Sequence, residues 1–435
     1  MKKLLILIFV VPSLLMAQTN GLTLAETRAA VLSANPSVRE SLQRIEAATA
    51  VLKQAHSAYL PTVSFVGSVG YLDASVHSDS DLPNRSADGM KQASGGLQAS
   101  WLLFNGFARE ARSLAAKYNV QQSRELADNT QRLLILSATV SFRQAQLAMQ
   151  SIEIAEQDYA FNTNLEEDAQ KRFAAGTIPE AEVHNFSIRA LQAESSTLQA
   201  RFDYKAACAV LAELMALPEA QLPENMRPVA VVFDFPGEVP SLDGELQYAL
   251  VNRPDYRALQ SGLMALAQQV RAAKGDRLPQ VDLNGSVNYT ETEDRIPENY
   301  GNYDSFAGIT IKWDLFDGRR KINTVREAQA ELRALEQRQQ ALLLSIRSVM
   351  RQRIDEAEMA NAVFGRQKKI YDLSARVRDS IEKVYRAGAV SITRLNEAQT
   401  DLVRARTGYA SSYIACLLVL NRLDVDTGRV MEDIR

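Results

Sequence analysis

Two hydrophobic patterns divide the chain between them. Residues 281 to 290 alternate strictly, with Val281, Leu283, Gly285, Val287 and Tyr289 on one side and Asp282, Asn284, Ser286, Asn288 and Thr290 on the other. Further on, Ala307, Ile309, Ile311, Trp313 and Leu315 oppose Gly308, Thr310, Lys312 and Asp314. In the first half, Val63, Phe65, Val69 and Tyr71 are matched by Leu97, Ala99, Trp101 and Leu103. A period of two means strands with one apolar and one polar face. It predicts strands over about 62–72, 94–104, 280–291 and 304–316.

The second pattern is sparse and helical. No proline interrupts Phe107 to Phe173 or Arg319 to Tyr385. Helices are predicted over about 107–173 and 319–385, each roughly 100 Å long if fully helical. Leu126, Leu133, Leu136, Val140 and Leu147, then Ile322, Val325, Leu332, Ile346 and Val349, step by coiled-coil intervals and predict a narrow seam. Polar residues dominate elsewhere, as suits a helix wetted on both sides in the wall of a hollow tube. Each long helix stops at a glycine, in Gly176-Thr177-Ile178-Pro179 and in Gly388-Ala389-Val390-Ser391. These tips, 174–179 and 386–391, lead into return helices over about 180–216 and 392–423. They are expected at the end farthest from the hairpins.

The patterns occur twice because the chain is a tandem repeat. Leu60-Pro61 and Gly67-Ser68-Val69-Gly70-Tyr71 recur 218 residues later as Leu278-Pro279 and Gly285-Ser286-Val287-Asn288-Tyr289. Trp101-Leu102-Leu103-Phe104-Asn105-Gly106 recurs at an offset of 212 as Trp313-Asp314-Leu315-Phe316-Asp317-Gly318, and so does Phe173-Ala174-Ala175-Gly176 as Tyr385-Arg386-Ala387-Gly388. Asn35-Pro36 and Arg253-Pro254 open a helix in each copy, where proline loses no hydrogen bond. The copies span 18–217 and 242–435. The segment 218–241 holds Pro218, Pro223, Pro228, Pro236 and Pro240, which forbid a continuous helix and make it a linker.

The termini and composition narrow the setting. Lys2 and Lys3, the apolar run Leu4 to Met16 and Ala17 read as a cleaved secretory signal over 1–17. No later stretch of 18 apolar residues exists, so a membrane contact must be made by strands. A net charge of −3 leaves no nucleic-acid footprint. Cys208 and Cys416, far apart in apolar helical contexts, read as two buried thiols, with a disulfide in an oxidising compartment as the alternative. His56, His77 and His184 form no metal-ligand pattern, and no phosphate loop or nucleophile motif suggests a cofactor or catalytic residue.

A soluble sheet with one buried face would also alternate. Three features favour a membrane barrel: strands of about ten residues suffice to cross a bilayer with tilt, Tyr71, Trp101, Tyr289 and Trp313 lie where interfacial aromatics lie, and no amphipathic helix is left to cover the apolar faces. Four strands cannot close, since about eight are needed to fill even the smallest barrel. Three chains would give a twelve-stranded barrel with a channel, which the polar faces favour over two.

In this arrangement the Leu-Phe-Asn-Gly segment at 103–106, the Leu-Phe-Asp-Gly-Arg segment at 315–319 and the Phe/Tyr-x-Ala-Gly tips together resemble the TolC-like outer-membrane efflux channels. The resemblance covers nearly all of the mature chain. It implies a mainly α fold with a membrane β-barrel: a homotrimer whose twelve-stranded barrel spans the outer membrane and continues into a twelve-helix barrel in the periplasm. It implies a periplasmic adaptor contacting the tips at Gly176, Thr177, Ile178, Gly388, Ala389 and Val390, and an inner-membrane transporter engaged indirectly. Counted from the tip glycines, Tyr385 and Glu182 match the family's aperture tyrosine and acid. Its inner carboxylates fall at Arg394 and Glu397, and its arginine at Val390, so two positions depart. Glu182 is expected to meet Arg394 or Tyr385, with Glu397 facing the lumen. The function implied is a passive exit duct for efflux or type I secretion. A periplasmic coiled-coil scaffold is the structural alternative. A surface hydrolase, the enzymatic one, lacks the cluster of acids or histidines it would need.

Overall fold

The computed structural model describes residues 21–75, 86–234, 237–293 and 300–434. The signal segment 1–17, Pro236 and the middle of both hairpin loops lie outside the described residues. The first copy runs α1 (Leu24–Ala34), α2 (Pro36–Ser57), β1 (Thr62–Ser75), β2 (Ser86–Phe104), α3 (Ala108–Ala174) and α4 (Glu180–Leu214). The second runs α5 (Leu242–Asn252), α6 (Pro254–Gly275), β3 (Gln280–Glu293), β4 (Tyr300–Lys312), α7 (Arg320–Arg386) and α8 (Ile392–Thr427). The long helices α3 and α7 have 67 residues each. Among the described residues, no helix is long and apolar enough to cross a membrane.

The chain divides into two compact units. One comprises Glu40–Ala127 and Pro254–Ser345 and holds every strand among the described residues. Its four strands form one antiparallel sheet in the order β1-β2-β3-β4, so the two hairpins are fused through β2 and β3. β1 and β4 are its edges. The apolar residues of the alternating pattern are exposed, Phe65 at 72% and Val69 at 88%. Polar partners bridge the opposite side: Ser68 and Ser94 hydroxyls at 2.7 Å, and Asn288 Nδ2 donating to Asp304 at 3.0 Å.

β4 begins before the alternation suggests and ends at Lys312, so Trp313, Leu315 and Phe316 lie beyond it. The cause is its neighbour. Lys312 faces Gln280, the first residue of β3, and Pro279 before it has no N–H to continue the ladder. β2 persists to Phe104 because, past a bulge, it still meets Val281 of β3.

Both strand-to-helix junctions use one device. Gly106 and Phe107, like Gly318 and Arg319, lie in left-handed conformation, with φ from 64° to 69°. Asn105 Oδ1 accepts from the Arg109 amide at 3.1 Å and Asp317 Oδ2 from the Lys321 amide at 3.0 Å, capping α3 and α7. Beside Gly106, Ala108, Ala111 and Ala272 form a buried cluster. A Cβ on Gly106 would collide with the Gly275 carbonyl oxygen, whereas one on Gly318 meets nothing within 4 Å.

The other unit comprises Met1–Arg39, Asp128–Arg253 and Ile346–Arg435. Its helices bury alanines interspersed with a few large side chains where a stripe of leucines was expected. Ile135, Ala138, Phe142 and Ala145 line the buried stripe of α3, and Ala190, Ala193, Thr197 and Ala200 that of α4. In the predicted seam Ile346 and Val325 are buried, but Leu133 here, and Leu126 and Ile322 in the sheet-bearing unit, are exposed. Alanine lets helix backbones approach closely, so alanines share the in-chain seam with Ile135, Phe142 and Ile346, while Leu126, Leu133 and Ile322 are left outside it.

The linker forms short turns at Pro218–Ala220 and Glu224–Met226 and is stitched to the N-terminal segment, Leu22 N–H to Arg227 O at 2.7 Å and Val229 N–H to Leu22 O at 3.0 Å. Phe233 then stacks on Tyr409 at 4.9 Å, and the Tyr413 hydroxyl donates to Val232 O at 2.8 Å. The Asp426 carboxylate holds Arg353 at 2.8 Å and lies 3.8 Å from the buried Arg132, whose guanidinium also donates to Val425 O. These ties fix α3, α7 and the end of α8 around one acid.

Candidate functional site

The tips have one backbone design. Gly176 and Gly388 take φ of 73° and 77°. Thr177 N–H reaches back to Arg172 O at 3.0 Å, and Ala389 N–H to Val384 O at 3.1 Å, the six-to-one bond of a Schellman stop. A Cβ at either glycine would meet nothing, so the glycines serve the dihedral alone. Thr177 adds a hydroxyl bond to Arg172 O at 2.9 Å, for which Ala389 has no donor.

Both tips rest on one apolar cluster. Leu165, Ala169, Phe186 and Leu395 are buried there, with Ile178, Val183, Ile381, Tyr385 and Ile392 packed against them. Ile178 is therefore partly turned inward, while Gly388 and Ala389 are exposed and Val390 is half-buried.

Of the predicted aperture residues, the structure brings Tyr385 and Glu182 near each other and leaves Arg394 and Glu397 as a separate pair. Arg394 Nη1 meets Glu397 at 3.0 Å along α8, and both side chains are exposed. The cation at Tyr385 is instead Arg172 of α3, whose guanidinium lies 5.5 Å from the ring centre and pairs with Asp168 at 3.2 Å. Burial pushes the Tyr385 phenol up; Arg172 opposes that, and Glu182 and Asp168 reinforce it. Arg172 was not legible as a site residue. Its one signal is an acid four residues earlier on the same helix, a spacing common on any solvated helix. Around this site Arg378 and Arg386 both pair with Glu382, at 2.9 and 2.7 Å, and Ser187 donates to Glu166 at 2.5 Å.

The proposed interface aromatics are held in matched ways. Trp101 Nε1 donates to Tyr59 O at 2.9 Å and Trp313 Nε1 to Arg277 O at 3.2 Å, the same bond displaced by one repeat. Tyr71 in β1 is exposed, and Tyr289 in β3 meets Tyr303 with the rings tilted by 47° and centroids 4.9 Å apart. The Arg109 guanidinium lies over the Tyr59 ring at 4.2 Å.

A cavity of about 880 Å³ lies between α4 and the linker, lined by Tyr204, Cys208, Arg201 and Arg227 among others. Two of its arginines already have partners, Arg201 with Glu156 at 2.7 Å and Arg227 with Glu224 at 3.3 Å. Burial raises the pKa of the Cys208 thiol, which disfavours a nucleophilic thiolate. Among the described residues, no group of His, Cys, Asp and Glu is arranged to hold a metal.

A hairpin and long-helix unit present twice, with an open sheet and glycine-stopped tips, is the pattern of the outer membrane efflux proteins. The sequence profile described as outer membrane efflux protein matches residues 28–217 and 246–412, and the chain belongs to that family. It is 24% identical over 396 residues to protein CyaE of Bordetella pertussis, covering 89% of this chain and 80% of that one. It is 21% identical over 338 residues to the outer membrane efflux protein BepC of Brucella suis, covering 78% and 72%. The fold is that of the outer membrane protein VceC of Vibrio cholerae, with a TM-score of 0.75 at 15% identity, covering 93% of this chain and 96% of that one.

Proposed function

We infer that the protein is the passive exit duct of a tripartite efflux or type I secretion system, built from three copies in the outer membrane. The observation that carries this reading is the open four-stranded sheet with exposed apolar side chains. Lipid-facing strands cannot leave edges unpaired, so copies must complete one another, and three supply twelve strands. Heptad-spaced residues on α7, Ile370, Leu373, Val377 and Val384, are exposed as well. They suit packing against neighbouring copies in a twelve-helix tunnel. Trp101, Trp313, Tyr71 and Tyr289 would lie at the membrane boundaries. The tips at 176–178 and 388–390 would receive a periplasmic adaptor, which couples the duct to an inner-membrane transporter.

In this reading Tyr385, Arg172 and Glu182 latch the aperture within each chain. Arg394 and Glu397 then form a charged pair toward the lumen. Arg172 supplies beside Tyr385 the positive charge that Val390 cannot.

The test is the purified protein in a planar bilayer, together with its mass in detergent. A trimer with stable single-channel conductance, raised by Arg172→Ala or Glu182→Ala, is expected. Recovery as a soluble periplasmic monomer would reject the duct in favour of a scaffold. A conducting trimer unmoved by either variant would reject only the latch.

A further inference from the structure

We propose that Phe306 gives the channel wall an aromatic contact site, on which the rings of aromatic solutes passing through the duct stack. The proposal rests on the duct reading, in which the polar side of the sheet faces water inside the barrel, and adds a class of ligand to it.

The alternating pattern singles the residue out. Along β4, Asp304, Phe306, Gly308, Thr310 and Lys312 share the polar side, opposed to Ala307, Ile309 and Ile311. Phe306 is the apolar member of that row and is 56% exposed. Its cross-strand partner is Ser286, and beyond Ser286 on β2 comes Gln98. To either side of it the row is bridged by polar groups. Asn288 Nδ2 donates to Asp304 at 3.0 Å, and Asn284 Nδ2 donates to the Thr310 hydroxyl at 2.9 Å. A phenyl ring thus stands between two hydrogen-bonded bridges with more than half of its surface unburied.

The duplication supplies a control. Phe306 is the image of Ser94 at the offset of 212 residues, and Ser286 that of Ser68 at 218. In the first hairpin those two serines face each other, and their hydroxyls lie 2.7 Å apart. The same place in the same kind of hairpin is closed there by a polar pair, so the sheet does not require a ring. Phenylalanine in place of that serine gives up a hydrogen bond and presents apolar surface to water.

The ring is also seated. Its far edge rests on Gly308, where a Cβ would come within 2.7 Å of Cζ. Gly96, the image of Gly308, has the Asn288 side chain against it and no ring. The glycine lets the phenyl group lie along the strand with its other side open. An aromatic group arriving from the water can stack on that side, a contact worth about two- to tenfold in affinity. Three copies set three such rings at one height of the barrel.

Single-channel recordings with N-acetyltryptophanamide on the extracellular side test the site, with N-acetylglycinamide as the control that has no ring. N-acetyltryptophanamide should interrupt the wild-type current at millimolar concentration, and the control should not. Phe306→Ser, which repeats the residue of the first hairpin, should weaken the block at least about threefold, and Phe306→Trp should retain it. Ser94→Phe adds a second ring to each chain and should strengthen the block; it reads the site if Phe306→Ser does not assemble. No block of the wild type, block of equal strength by the control, or block that Phe306→Ser and Ser94→Phe leave unchanged overturns the site and leaves a conducting duct standing. A protein that forms no conducting trimer overturns the duct reading and the site with it.

Discussion

The two strand-to-helix junctions share a backbone and differ in company. Asn105-Gly106-Phe107 is pressed against Gly275, while Asp317-Gly318-Arg319 faces open space. Caps, left-handed glycines and tryptophan bonds are duplicated, so the local sequence is sufficient to build the junction. What covers it is decided elsewhere, by the next hairpin. One flank is satisfied within the chain and its equivalent is not, which in the proposed trimer leaves the second to a neighbouring copy.

The largest expected contrast is steric. Gly106→Ala combines a backbone collision with a strained φ and should cost about 3 kcal/mol. Gly318→Ala should cost only about 1 kcal/mol, the dihedral penalty. Thermal melts of the purified protein by circular dichroism would show the difference, and equal losses would mean that the second flank is covered as tightly as the first.

The tips offer the next contrast. Tyr385 is half-buried beside Arg172, whereas its image Phe173 is exposed. Tyr385→Ala should therefore raise single-channel conductance more than Phe173→Ala does. The reverse order would move the latch to the first copy.

Trp101→Phe and Trp313→Phe each remove one N–H bond to a carbonyl and should each cost about 1 kcal/mol. Unequal melting shifts would show that the copies differ beyond that bond.

The smallest effect concerns the thiols. Burial pushes Cys416 up to about 11 and raises Cys208 as well. Both should alkylate with iodoacetamide at pH 8 more slowly than a free thiol, the buried Cys416 more slowly than Cys208. The sign follows from the neutral thiol being favoured in the fold. Stability is unaffected below pH 9, the thiol's ordinary value, and falls as pH rises through 11.

Periodicity disclosed the strands, the long helices and their glycine stops, because each leaves a local signature: alternation, absence of proline, a residue suited to positive φ. It placed the seam on Leu126 and Leu133 because large apolar residues dominate any such pattern, although the in-chain contact is made by Ile135 and Phe142 with the alanines between them. It carried β4 past Lys312 because nothing in that stretch reveals that its neighbour begins after a proline. Arg172 was missed for a related reason. Its significance comes from Tyr385 on another helix, and one sequence contains no distance between helices.

The shared cluster under the two tips has a mechanical consequence. Leu165 and Ala169 from α3, Phe186 from α4 and Leu395 from α8 pack in a single knot, with Ile178 and Tyr385 from opposite copies leaning on it. A force applied at one glycine turn is passed to the other before either can yield alone. Each chain then presents a single jaw, and loosening it means moving both turns together.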